Sequence, residues 1–315
     1  MGTYIMKRLL ALLPVIVIMS VVVFLIIYLI PGDPARVMLG DGADEETIRQ
    51  LRGQMGLDLP LVEQYLRWVG GALRGDLGNS FFLKQPVSEA IAEHLQPTVS
   101  LALLAELVAL AIAVPFGIRA AVRRGQFADK ALTAYSLLGI TIPGFLLSLF
   151  LVLLFAVRLR WLPVSGYAPL SDGLWNFLQY LILPAVSIGV VISAVIARIV
   201  RSSVLEVLNE PYVRTARSKG VSERALVYKH VLRNALIPIL TVVGGTFGTL
   251  MAGAAVVETI FNIPGIGQML VHSVERRDYA VIQGLVLFIA FVYVAVNLIV
   301  DLLYAAVDPR IRLGK

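Results

Sequence analysis

Six long stretches with almost no charge constrain this chain more than anything else in it: Leu9 to Ile30, Thr98 to Ile118 with one Glu, Ala131 to Val157, Leu178 to Ala197, Ala235 to Val257 and Val281 to Val300. Each has roughly 20 residues or more, and at about 1.5 Å per residue such a helix crosses a hydrocarbon core of about 30 Å. Inside hydrocarbon a backbone must satisfy its own polar groups, and continuous apolar runs do so as helices. The expected fold is therefore all-α, a polytopic membrane protein with six transmembrane helices in a single domain over 1–315. Of the residues, 58% are hydrophobic and 15% charged, which excludes an ordinary soluble enzyme or a disordered chain. Cysteine is absent, so there is no disulfide framework, thiolate metal site or cysteine nucleophile. The first run carries Lys7 and Arg8 as a basic flank, but it is longer than a signal-peptide core, and Pro31-Gly32-Asp33-Pro34 follows instead of a small-x-small cleavage site. It is read as a retained helix.

Six spans place both termini on one side, and basic residues mark that side as cytoplasmic. They are Lys7 and Arg8, then Arg123, Arg124 and Lys130, then the cluster from Arg201 through Arg214, Arg217, Lys219, Arg224, Lys229 and Arg233, and finally Arg310, Arg312 and Lys315. The opposite loop, 31–97, has six basic and ten acidic residues, so the net charge of +6 is a topology signal and not a nucleic-acid footprint. In that loop Asp44 can cap a helix with Ile48, Leu51 and Met55 on one face and Gly56 at its end. Pro60 opens a second, with Leu61, Tyr65 and Trp68 apolar and Gly70-Gly71 closing it. The pair either rests on the bilayer or neighbouring spans, or forms an external docking platform.

Glu106 lies within the second span and is a possible intramembrane polar site; Arg198, Glu258 and Asp301 stand near span ends, where a side chain can reach the interface or a partner. The fifth span reads Gly244-Gly245-Thr246-Phe247-Gly248-Thr249-Leu250-Met251-Ala252-Gly253. Gly244, Gly248 and Ala252 recur every four residues, as do Gly245, Thr249 and Gly253, giving faces that a second helix can approach closely. They mark a packing interface, within the chain or beyond it, or a translocation seam.

The segment 201–233 is too long for a hairpin turn. Asn209-Glu210-Pro211 are helix-start signals, Tyr212 to Lys219 form the helix, Gly220 stops it, and Ser222 caps the next one, which leads through His230 and Arg233-Asn234 to Pro238. The basic helix either meets anionic headgroups or transmits force from a soluble motor.

At these residues the chain resembles the permease subunits of bacterial ATP-binding-cassette importers for dipeptides and oligopeptides, the first of that family's two permease types. The resemblance rests on Leu29-Ile30-Pro31-Gly32-Asp33-Pro34-Ala35, Gly75-Asp76-Leu77-Gly78, Pro97-Thr98 and Leu162-Pro163-Val164-Ser165-Gly166. It continues through Arg201-Ser202-Ser203, Tyr212 to Gly220, Leu232-Arg233-Asn234-Ala235-Leu236-Ile237-Pro238, Pro264-Gly265-Ile266-Gly267, Arg277-Asp278-Tyr279 and Asp308-Pro309-Arg310-Ile311-Arg312. The wider superfamily's cytoplasmic signature, Glu-Ala-Ala followed three residues later by Gly and then Ile-x-Leu-Pro, aligns on Gly220 with Arg214-Thr215-Ala216 and His230-Val231-Leu232-Arg233. Its Glu and Pro are missing here, so no contact is carried over for that Glu.

The resemblance implies the type I importer permease fold, a bacterial inner-membrane location, and one half of a translocation path for di- or oligopeptides, with nickel chelates, glutathione or glycosides as alternatives. It implies as partners a second homologous permease, two ATP-binding subunits and an external substrate-binding protein. Tyr212, Arg214, Thr215, Ala216, Arg217, Lys219 and Gly220 would form the coupling helix, with Ala216 and Gly220 ranked above the arginines. No Gly-x-x-x-x-Gly-Lys-Ser/Thr occurs, so the chain is expected to be no enzyme and to hold no cofactor, with ATP and Mg bound by its partners. A self-sufficient secondary carrier is the rival of another class. It would show internal halves and coupling carboxylates at mid-depth, and no repeat is evident.

Overall fold

The computed structural model describes residues 2–29, 32–40, 42–252 and 254–307. Among them there is no β-strand, and the chain runs as helices. Helix α1 (Gly2–Leu29) is followed by three helices between the first two spans: α2 (Pro34–Leu39), α3 (Glu45–Met55) and α4 (Leu61–Ala72). The second span lies in α5 (Val87–Val122). Next come α6 (Phe127–Thr141) and α7 (Gly144–Leu151), the latter continued by a wider π turn over Val152–Arg158. α8 (Leu174–Leu208) leads into α9 (Pro211–Ser218) and the single turn α10 (Glu223–Ala225). A π turn over Leu226–Val231 joins that to α11 (Leu232–Met251). Short helices α12 (Ala255–Ile260) and α13 (Ile266–Arg276) precede α14 (Tyr279–Val307).

The six apolar runs all fall on helix, with three departures. By length and apolarity 87–122, 174–208, 223–251 and 279–304 can each cross a membrane, and the α6–α7 pair adds a fifth. In α1 the apolar stretch among the described residues is Leu12–Tyr28, short of a full crossing, so the count of six rests there on the sequence. The run from Ala131 to Val157 is not one straight helix but bends by 95° between Thr141 and Gly144. Pro143 has no N–H and disfavours helical backbone in the residue before it; Ile142 is accordingly extended, with φ −78° and ψ 119°. Apolarity alone reads through such a break. The run from Ala235 to Val257 also divides, since α11 ends at Met251 and α12 begins at Ala255. Gly253, one of the expected seam residues, lies outside the described residues, as do Ile30, Pro31 and the terminal Asp308 to Lys315.

The core is built on α5 and α8, whose backbones approach closely at two glycines. A Cβ on Gly117 would stand 2.7 Å from the Ala197 carbonyl oxygen, and one on Gly189 2.8 Å from the Ala105 carbonyl oxygen. Helices lacking a hydrophobic drive toward one another gain from such close packing. Ala109, Ala113, Ala120, Ala121, Ala197 and Val200, all buried, complete this seam.

Between the first two spans Asp44 accepts a hydrogen bond from Thr47 N at 3.0 Å, a bond that holds its carboxyl below the usual carboxylate range, and Gly56 ends α3 at φ +68°. Ile48 and Leu51 are buried on Ala35 of α2, a helix that the sequence reading does not anticipate.

Candidate functional site

The strongest candidate is α9 with the turns around it. Glu210 is extended and Pro211 occupies the first helical position, where its missing N–H costs nothing. At the other end Gly220 has φ +80°, a left-handed conformation that glycine adopts without the Cβ clash other residues suffer. The helix is two-sided. Val213 is fully buried, and Ala216 packs half-buried beside it against the core of α5, α8 and α11. Tyr212, Arg214, Thr215, Ser218 and Lys219 are exposed.

Two ties fix α9 from outside its own backbone. Asn234 at the start of α11 donates through Nδ2 to the Tyr212 hydroxyl at 2.8 Å, and also to the His230 carbonyl at 2.8 Å. Arg217 donates to both carboxylate oxygens of Glu223, at 2.5 and 3.1 Å. Ala216 packs half-buried on the chain's own core, and Arg217, itself exposed, is paired within the chain to Glu223. The exposed face carries Tyr212, Arg214, Thr215, Arg217, Ser218 and Lys219.

Nearby, Asp129 explains the Arg201-Ser202-Ser203 motif. Arg201 of α8 grips both Asp129 oxygens, the Nη2 bond being 3.0 Å, while Gly125 N donates to the same carboxylate at 2.8 Å. Such a bidentate pair fixes the end of α6 to α8 and hence to the root of α9.

The expected seam in α11 divides in two. Gly244 and Gly248 are buried against α14, with Val300 over the first and Tyr293 and Val296 over the second. This face packs within the chain. A Cβ on Gly245 would meet nothing within 4 Å, and Thr249 is exposed, so the other face is open; Ala252 stands at the helix end, half-buried. Glu106 is only 6% exposed and takes a hydrogen bond from Thr246 Oγ1 at 3.1 Å, joining α5 to α11. It serves as an interhelical contact in this conformation.

At the far end of the bundle the sequence reading misses a site. Of the two expectations for Glu258, an interface or a partner, the structure has the partner: its side chain is fully buried. Its carboxyl accepts from Thr98 Oγ1 at 2.7 Å and from Gln268 N at 2.8 Å. Thr98 Oγ1 in turn accepts from Ile266 N at 2.8 Å. The open N–H groups at the start of α13 are thus satisfied by two side chains from elsewhere. The glycines of Pro264-Gly265-Ile266-Gly267 have a steric cause: a Cβ on Gly265 would overlap the Glu258 carboxyl, and one on Gly267 would lie 2.9 Å from its Oε2. Gly166 N donates to the Phe261 carbonyl at 2.7 Å, so Leu162-Pro163-Val164-Ser165-Gly166 joins the same assembly. In Arg277-Asp278-Tyr279, Arg277 is left-handed at φ +59°, and buried Asp278 accepts from Ser80 Oγ at 2.5 Å, tying α14 to the loop before α5. The only hint in sequence is the placement of Pro97-Thr98, Glu258 and Pro-Gly-Ile-Gly at predicted span ends.

Comparison with known proteins agrees across the whole chain. Residues 113–313 match the family model described as the binding-protein-dependent transport system inner membrane component, and residues 1–102 match the model of that component's N-terminal part. The chain is 42% identical over 312 residues to a protein of Sinorhizobium fredii named as a peptide ABC transporter permease, covering 99% of this chain and 100% of the relative. It is 44% identical to a protein of Brucella abortus named as a peptide transport system permease, with 99% of each chain covered. Against the glutathione transport system permease protein GsiC of Salmonella paratyphi A it is 45% identical, again over 99% of both. Among solved structures, a chain of the MetNI methionine ABC transporter, crystallised in inward-facing conformations, superposes with a TM-score of 0.54. That match has 19% identity and covers 70% of this chain and 96% of the other, and shows a shared fold.

Proposed function

The chain belongs to the family of inner membrane components of binding-protein-dependent transport systems, and we propose that it forms half of the translocation path of an ATP-driven importer whose solutes are short peptides or glutathione. The solute class follows the named relatives, which include peptide and glutathione permeases. In this reading the chain pairs with a second homologous permease, two ATP-binding subunits supply hydrolysis with ATP and Mg, and a substrate-binding protein delivers solute from outside.

The observation that carries the proposal is α9: a short two-sided helix between two long membrane helices, seated by Val213 and tied by Tyr212–Asn234 and Arg217–Glu223, with a polar face turned outward. A helix held this way moves as one piece with α8 and α11. Nucleotide-driven closure of an ATP-binding subunit gripping Arg214, Thr215 and Lys219 would then tilt both helices and alternate access to the path.

Orientation is tested with single cysteines, since the chain has none of its own. Gln50→Cys on α3 should react with an impermeant thiol reagent in intact cells, and Arg224→Cys beside α9 only after permeabilisation; both residues are exposed. Labelling of both in intact cells would contradict the topology. Solute class is tested by separate uptake of labelled dipeptide and labelled glutathione in cells carrying the complete transporter; transport of neither would remove the assignment.

A further inference from the structure

Helix α4 does not sit beyond the outer end of α1; it lies alongside it. The Tyr65 hydroxyl is 2.8 Å from Ser20 Oγ, and Ser20 stands nine residues before Leu29, the described end of α1. At 1.5 Å per residue that is about 14 Å down the span, approaching half of a hydrocarbon core about 30 Å thick. Phe24 meets the rings of Tyr65 and Trp68 at 5.5 and 6.0 Å, and Tyr28 bonds Gln64. One face of α4 is thus committed to the outer half of α1.

The other face is apolar and uncovered. Val62 is 71% exposed, Leu66 60% and Leu73 85%, on the spacing that puts them along one side of a helix. The outer half of α1 likewise exposes Val21, Val22 and Leu25, as a membrane-spanning helix does toward lipid. The charged residues on α4 fit the same placement: Glu63 and Arg67 pair at 2.7 Å along its edge, and Arg74 follows its end. Long basic side chains at such a boundary extend to headgroup phosphates.

We infer that α4 is an interfacial helix seated in the bilayer leaflet beside the outer half of α1, with Val62, Leu66 and Leu73 among the acyl chains. Its inner residues Gln64, Trp68 and Gly71 line a cavity of about 800 Å³ that also touches Phe24, Tyr28 and Gln283. Seated there, α4 is the wall between that cavity and lipid. Its apolar face is a lipid contact and not the dock of a soluble protein.

Nitroxide labels on Leu66→Cys and Leu73→Cys, with Gln50→Cys as a control on α3, test this in the full chain purified with its partner subunits and reconstituted in phosphatidylethanolamine–phosphatidylglycerol liposomes. Relaxation by oxygen should exceed relaxation by a water-soluble nickel chelate several-fold at both α4 positions, with the order reversed at Gln50. Adding loaded binding protein should leave the α4 values unchanged. Nickel access at Leu66 and Leu73 equal to that at Gln50 would overturn the inference, since the stripe would then face water. Protection from both reagents, constant or only with binding protein present, would equally overturn it by making the face a protein interface.

Discussion

Arg214→Glu is expected to abolish uptake while the chain still folds and inserts. Arg214 lies on the exposed face of α9, so reversing its charge disturbs no packing in the chain. At a subunit interface a misplaced charge costs several kcal/mol, and every 1.4 kcal/mol is about tenfold in affinity. Co-purification of the ATP-binding subunits should fall at least about tenfold. Ala216→Glu is the instructive contrast: Ala216 packs on the core beside Val213, so a carboxylate there should lower the stability of the chain itself. Gly220→Val should also act within the chain, because φ +80° costs a β-branched residue about 1–2 kcal/mol even though open space surrounds that position. Thermal unfolding in detergent, measured beside subunit co-purification, separates the classes. If Arg214→Glu retains its subunits and transports normally, α9 is not the docking element.

The second large effect is expected at Glu258. Glu258→Ala leaves Gln268 N near the start of α13 without its buried acceptor and removes the partner of the Thr98 hydroxyl. Each stranded buried group costs about 1–3 kcal/mol, so the loss should be roughly 3 kcal/mol or more. Glu258→Gln keeps the volume but offers one acceptor oxygen where two are used, and its amide N–H₂ would confront donors; an intermediate loss is expected. Thr98→Ser, which keeps the hydroxyl, should be mild, and Thr98→Val should not add fully to Glu258→Gln because both break one network. Full additivity in this double-mutant cycle, read from unfolding midpoints, would show that the two residues act apart.

What was legible in the sequence was local. Asp44, Gly56 and Pro211 announce helix ends through capping, left-handed backbone and fixed φ, and the apolar runs announce helices because hydrocarbon leaves no other choice. What was hidden depends on distant partners. Sequence leaves Glu258 an interface or a partner and does not name the partner, because Thr98 lies 160 residues away, and the need for Gly265 and Gly267 appears only when the carboxyl they accommodate is in place. The inward turn of Ala216 depends on how α9 rolls onto the turn over Leu226–Val231 and the core behind it, which spacing over one short helix does not specify. The bend at Pro143 carried a local signal, but a criterion of apolar length overrode it.

Reconstituted uptake decides whether this chain conducts solute only as part of an ATP-driven assembly. Liposomes carrying this chain, its paired permease and the ATP-binding subunits should take up labelled short peptide or glutathione when ATP is supplied on the side of α9 and loaded binding protein on the side of α4. Omitting ATP, binding protein or the ATP-binding subunits should each stop uptake. Uptake by this chain alone, driven by an imposed proton gradient, would make it a self-sufficient carrier instead.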